Sequence, residues 1–312
     1  MTDMRRQQWP AIPVAGWQDT RDTLQLYTQI VGKVRMAHEP TTNHWWNVPL
    51  YVSARGLTTS LIPHPTGPAF QIDFDFLQHR LEVATVDGGL RSLALEARPV
   101  ADFYAGVMRL LDELGVSTAI WSMPVEIVGA VPFDEDQVHT SYDPEAVRRF
   151  WLAMVEMTRV LTVFRGRFLG KVSPVHLFWG GLDLATTRFS GRPAPPYPHK
   201  APNCGPRVMG GAYSHEMSSC GYWPGPPGEE GVFYAYAYPE PPGFRDVVVT
   251  PDGARWDDEL AEFVLPYELV RTAADPDATL LGFLQSSYEA AANTARWDRA
   301  ALERPATSSA RA

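Results

Sequence analysis

The sequence predicts an α+β protein with mixed or antiparallel sheets and packed helices, and three observations predict it. Four segments repeat apolar residues at helical spacing, other segments alternate apolar and polar residues with period two, and the order helix, strand, strand, helix runs twice along the chain.

Taken in order, Leu24, Tyr27, Ile30, Val31 and Val34 mark the first helix. Residues 48–59 have the β-branched and aromatic content of a strand. Phe70, Ile72, Phe74 and Phe76 alternate with Gln71, Asp73 and Asp75, the pattern of a half-buried strand, and residues 81–86 give another. The second helix carries Val100, Phe103, Tyr104, Val107, Leu110, Leu111 and Leu114 and stops at Gly115. Residues 118–128 read as a strand. Asp143-Pro144-Glu145 starts the third helix with a cap, a proline and an acid, ahead of Val147, Phe150, Trp151, Met154, Val155, Leu161 and Phe168. Strands are expected at 175–189, at 234–238, where Tyr alternates with Ala, and at 247–250. Asp275-Pro276-Asp277 opens the fourth helix, with Leu280, Leu281, Leu284 and Tyr288 on its apolar face.

The repeated order, over 20–115 and 143–293, suits an internal duplication. Gly32-Lys33-Val34 and Gly170-Lys171-Val172 each end a first helix in that reading, followed by His44-Trp45-Trp46 and by His176-Leu177-Phe178-Trp179, then by Arg55-Gly56 and by Arg188 near Gly191. The expected division is a first α+β half over 1–130, a second over 131–303 packed on it, and a disordered tail over 304–312, with the two His segments drawn to one seam. Residues 190–211 hold six prolines and 223–231 three more; loops of that length serve function more often than not, and these are read as a lid.

A chain of 312 residues with 45% hydrophobic content can bury a large core, and its net charge of −9, with signs interspersed, argues against nucleic acid as a partner. No apolar run approaches the roughly 20 residues that span a bilayer, and the start lacks the apolar stretch of a signal peptide, so a cytoplasmic location and no membrane partner are expected. Cys204 and Cys220 form no framework and are read as free thiols. A small-molecule ligand is the expected partner; cofactor, bound metal and oligomeric state are left open.

His44, His176 and His215 each sit beside aromatics and a carboxylate or amide, the setting of acid-base and metal-binding histidines, although a structural hydrogen bond is the ordinary use. No His-x-His or His-Glu-x-x-His spacing occurs. Asp183, Glu216 and Glu262 lie in apolar surroundings that raise a carboxyl pKa unless cations compensate, and Arg188 and Arg192 are the nearest candidates, as ion-pair partners or as clamps for a substrate anion. An unbroken strand puts His176 and Arg188 on one face and Asp183 on the other, whereas a bulge at Gly180-Gly181 brings Asp183 to His176. Trp46 and Trp179 stand out as pocket walls among aromatics that mostly build core. Gly166 to Ser173 imitates a phosphate loop but has one residue too few between its glycines and no Ser or Thr after Lys171. Lys33 and Lys171 could form imines only if buried with depressed pKa; closing the last turns of their helices is the plainer job.

The run from Ser173 through His176-Leu177-Phe178-Trp179-Gly180-Gly181-Leu182-Asp183 to Arg188 and Arg192 resembles a bacterial family catalogued only as a domain of unknown function (number 5996). So do Asn43-His44-Trp45-Trp46, Phe74-Asp75-Phe76 with His79, Ser214-His215-Glu216 with Trp223-Pro224-Gly225, and Glu262-Phe263 with Leu265-Pro266-Tyr267. The resemblance covers Trp9 to about Glu303 and implies no chemistry.

These readings converge on an enzyme acting on a small organic substrate between the two halves. His176 and His215 are its acid-base or metal-binding groups, Asp183 and Glu216 its catalytic carboxylates, and His44, Trp46, Trp179, Arg188 and Arg192 its ligand-binding residues. The rival class is a non-catalytic binding or sensor protein using the same pocket.

Overall fold

The computed structural model describes residues 9–13, 16–225 and 230–304. Among them seven helices pack on two antiparallel sheets. The first segment runs α1 (Gln18–His38), the meander β1 (Tyr51–Val52), β2 (Gly56–Thr58), β3 (Phe70–Asp75), β4 (Arg80–Thr85) and β5 (Leu90–Ala94), then α2 (Val100–Glu113). The second runs α3 (Pro144–Gly166), β6 (His176–Phe178), β7 (Asp183–Pro193), α4 (Pro206–Ala212), β8 (His215–Trp223), β9 (Val232–Tyr238), β10 (Arg255–Asp257), β11 (Glu262–Pro266), α5 (Tyr267–Arg271), α6 (Pro276–Thr294) and α7 (Arg299–Leu302). Strands β1 to β5 pair in sequence order, and the second sheet is ordered β10-β11-β9-β8-β7-β6.

Local chemistry accounts for the clearest elements. The Asp143 carboxylate accepts from the amides of Glu145 and Ala146 at 2.9 and 3.1 Å, and Asp275 accepts from Ala278 at 3.0 Å, so both expected proline starts are capped. Phe70, Ile72 and Phe74 point from β3 into the core, as period two requires. Asp75, expected to face water, is buried and receives Arg55 and the amides of Leu77 and Gln78.

Among the described residues a single antiparallel bridge links the sheets: Leu50 and Leu177 exchange backbone hydrogen bonds of 3.0 and 2.9 Å. Further bonds cross the same seam. Gln25 of α1 donates to the Gly180 carbonyl at 2.5 Å, the Trp179 indole donates to the Val48 carbonyl at 2.9 Å, and the Trp151 indole of α3 donates to the Ser53 carbonyl at 3.1 Å.

Several expectations are corrected. Residues 118–128 form no strand, because their backbone groups bond to side chains and to a loop instead: Lys33 Nζ donates to the Trp121 carbonyl at 3.0 Å, Gln29 exchanges bonds of 3.0 and 2.9 Å with Val125, and the Glu126 amide donates to Pro202 at 2.8 Å. Residues 247–250 are not a strand, and 175–189 divides into β6 and β7 at a turn through Gly180-Gly181-Leu182. The two Gly-Lys-Val tripeptides occupy unlike places, one inside α1 and the other beyond the end of α3. Residues 305–312 of the expected tail lie outside the described residues, while Arg304 bonds through its amide to Arg167 at 2.9 Å. Among the described residues no helix is long and apolar enough to cross a membrane.

Candidate functional site

The turn between β6 and β7 decides which side chains meet. His176 pairs with Ala185 and Phe178 with Asp183, and paired residues share a face, so Asp183 lies on the face of His176 and Arg188 on the opposite one. Of the two registers the sequence allowed, this is the one that brings Asp183 to the side of His176, achieved by a turn rather than a bulge.

Three carboxylates from distant parts of the chain gather on this face. Asp183 Oδ2 accepts a 2.6 Å hydrogen bond from the Tyr234 hydroxyl of β9. Burial raises the Asp183 pKa to about 6, against the lowering effect of that bond. Glu126 reaches the same place from the irregular segment, its backbone at φ 61, and Leu182, just before Asp183, lies at φ 58. Left-handed backbone at non-glycine residues is costly and is held by what surrounds it. A Cβ at Gly180 would overlap the Glu126 carboxylate, so glycine there makes the approach feasible. Burial and then the Asp183 charge raise Glu126 to about 7, and burial followed by Asp183 and Asp257 raises Glu262 of β11 to about 8. Glu126 keeps solvent access while protein crowds it on its other sides. It lines a cleft of about 470 Å³ together with Arg21, Gln25, Gly181, Trp223 and Pro224.

Some 20 Å along β7, at about 3.3 Å per residue, the same face ends in a second cluster. His44 Nδ1 lies 3.0 Å from the Ala212 carbonyl, which can only accept, so Nδ1 carries the hydrogen and Nε2 accepts from Lys171 Nζ at 2.7 Å. The Lys171 ammonium also sits 5.2 Å from the Trp46 ring and 4.9 Å from Phe189, and the His215 ring lies 5.7 Å from that of His44. Burial foremost, then the nearby Lys171 and His215, holds His44 below the usual histidine range. Between the clusters run the Thr187–Ser219 pair at 2.9 Å and the Tyr213–Tyr236 pair at 3.3 Å. The proline-rich segment covers this part of the face: Tyr197 stacks on Tyr213 at 3.8 Å, and Pro195 accepts from the Tyr238 hydroxyl at 2.9 Å.

The remaining expected site residues are placed elsewhere. His176 is fully buried among Trp46, Tyr51 and Phe178, and desolvation, reinforced by Arg35 and Arg165, lowers its pKa to about 3. Neither of its ring nitrogens has a hydrogen-bond partner among the described residues. Arg188 is no anion clamp: its guanidinium lies 3.5 Å from the Phe164 ring centre and 4.3 Å from Tyr288, and it donates to the Phe164 carbonyl. Glu216 and Arg192 pair at 2.6 Å, and Arg192 donates to the Ala295 carbonyl at 2.7 Å, fastening β7 and β8 to the end of α6. Trp179 is a core residue packed on Gly32. Thus His44, Trp46 and His215 come together, Asp183 joins two other carboxylates, and His176, Arg188, Trp179, Arg192 and Glu216 have structural partners.

Glu126 and Lys171 were underrated by the sequence. Pro124, two residues before Glu126, argues against a ladder strand and is the signal that could have freed that segment for another role. Among the described residues no group of three or more His, Cys, Asp or Glu side chains is arranged to hold a metal ion. No curated protein and no solved structure matches the chain. One family model matches residues 9–304, and the chain therefore belongs to a family of unknown function (DUF5996).

Proposed function

We propose that the protein is an enzyme that transfers protons to and from a small organic substrate in the cleft beside Glu126, with Asp183 and Glu126 as the acid-base pair. The observation that carries this reading is the meeting of Asp183, Glu126 and Glu262 around the Tyr234 hydroxyl bond. Burial foremost, and then the Asp183 charge on the two glutamates, raises these carboxyl groups, so they hold protons near the pH at which a cell works. That is where general acids and bases are most effective. A cleft of about 470 Å³ falls in the range of small-molecule sites, roughly 300–1,000 Å³. The Trp223 wall and the Glu126 carboxylate suit a neutral or cationic substrate.

The test begins with a thermal-shift screen of a metabolite library against the unaltered protein and Asp183→Asn. Hits are then incubated with both proteins and followed by mass spectrometry. Catalysis requires that a hit bind both proteins while only the unaltered one forms product. Hits that bind equally and are never turned over support the binding or sensor class and overturn the enzyme reading.

A further inference from the structure

We propose a second reactive centre, separate from the carboxylate cleft: Lys171 condenses with a small aldehyde or ketone to form an imine, and His44 carries the proton.

The cation census points to it first. Of 27 basic residues only Lys33, Lys171 and Lys200 are lysines, and the rest are arginines, whose guanidinium does not lose its proton in proteins. A chain that uses arginine nearly everywhere places lysine at few positions, and those can be sorted by surroundings. Lys200 is exposed. Lys33 is buried and committed to the carbonyls of Trp121 and Met123, a structural tie between α1 and the irregular segment. Lys171 is half-buried, and its hydrogen-bond acceptor is a neutral imidazole nitrogen. Among the described residues no carboxylate lies within ion-pair distance of it, and its other close neighbours are the faces of Trp46 and Phe189. An ammonium desolvated without a counter-ion loses its proton more easily, and burial holds Lys171 below the usual lysine range.

The imidazole is aimed at some cost. His44 and Trp45 have φ of 54 and 59, two consecutive non-glycine residues in the left-handed region. Helix α4 holds them there, Ala212 taking the His44 Nδ1 hydrogen and Val208 accepting from the Trp45 indole at 2.9 Å. The hydrogen on Nδ1 leaves the Nε2 lone pair free to face the amine. His215, with Nδ1 3.0 Å from the Ser214 hydroxyl, stands beside it.

The chemistry balances with these groups and water: the Lys171 ammonium first gives a proton to solvent, and the product is the protonated imine. As the Nζ lone pair attacks the carbonyl carbon, an amine proton passes to His44 Nε2 and the carbonyl oxygen becomes a hydroxyl by gaining a proton from solvent. The imidazolium then protonates that hydroxyl, the C–O bond breaks, water leaves, and the C=N bond forms. Trp46 and Phe189 offer apolar walls to the carbon chain of the carbonyl compound.

The test treats the folded protein with propanal and sodium cyanoborohydride at pH 7 and maps propylation of the three lysines by peptide mass spectrometry. We expect Lys171 to be labelled faster than exposed Lys200, because its buried ammonium gives up its proton more easily, and His44→Gln to remove that advantage. Equal or slower labelling of Lys171 than of Lys200, or an undiminished advantage in a folded His44→Gln protein, overturns the proposal. Should His44→Gln melt early, the pH profile of labelling in the unaltered protein decides instead: half-maximal labelling of Lys171 at the same pH as Lys200 overturns the assignment, and a lower midpoint supports it.

Discussion

His176 takes both ring nitrogens into the core without a hydrogen-bond partner among the described residues, and a buried polar group left unpaired costs about 1–3 kcal/mol. Its folded-state pKa of about 3 lies below the unfolded value. Between those values the unfolded chain binds a proton that the folded one refuses, so stability is full above about pH 6.5 and falls by about 1.4 kcal/mol per unit as acid is added. Replacing His176 by Leu is therefore expected to raise stability at pH 7 by about 1 kcal/mol and to flatten the acid limb in urea melts taken from pH 7 to pH 4; a loss at pH 7 would show that the ring has a partner after all. The carboxylates act with the opposite sign. Their raised pKa values, about 6, 7 and 8 for Asp183, Glu126 and Glu262, mean that the folded state holds protons the unfolded state has lost, so stability falls as pH rises from about 4 to about 8. Glu262→Gln is expected to match the unaltered protein at pH 4 and to exceed it by pH 8, on the order of 1 kcal/mol after allowance for solvent screening. A difference that does not grow with pH would remove Glu262 from the proton-sharing group. Residue type alone flagged His176, Asp183 and Glu262 as groups in apolar surroundings. Whether each is walled in or opens onto a cleft depends on neighbours from other elements, which no local pattern encodes.

Helices were legible because their signals are local. The Asp143 and Asp275 caps satisfy amides within the same turn, and removing either by Ala is expected to cost about 1 kcal/mol in chemical denaturation, the two adding independently because they lie at the starts of different helices. A double variant that loses no more than one single variant would show that the two helix starts are coupled. Strand β3 was legible for a related reason, since one buried face and one polar face impose alternation. Strand β8 escaped because its central residues, Met217 to Tyr222, are buried on both faces, so no alternation remains to be read. Gly32 shows the limit of short motifs. In the sequence it begins a Gly-Lys-Val repeat, but in α1 it is the flat spot against which the Trp179 indole lies, and a Cβ there would overlap the ring. Gly32→Ala is expected to destabilise by about 1–3 kcal/mol through overpacking, despite the better helix propensity of Ala; a stabilised variant in thermal melts would mean that Trp179 can turn aside freely.

Every cluster described above is assembled across the seam between the first and second segments of the chain. Glu126 meets Asp183 and Glu262, and His44 meets Lys171 and His215, so neither cluster exists in one segment alone. The seam is polar as well as apolar. Arg21 donates to the Gly225 carbonyl at 2.6 Å, Gln25 and Gln29 reach the Gly180 carbonyl, the Asp143 amide donates to the Thr20 hydroxyl at 3.0 Å, and Leu50 pairs with Leu177. Parting the segments would strand these groups and uncover Leu50, Leu177 and Trp179, all buried; an unpaired buried polar group costs more than the bond itself contributes. The two segments should therefore unfold together. In urea, tryptophan fluorescence and far-ultraviolet circular dichroism should give one coincident transition, and residues 1–130 produced alone should lack a cooperative melt. Two separate transitions, or a folded 1–130 fragment, would show instead that each segment holds its own structure and that the seam is a docking of finished parts. In that case the strained backbone at His44 and Glu126 could relax whenever the parts separate, and both clusters would come and go with that motion.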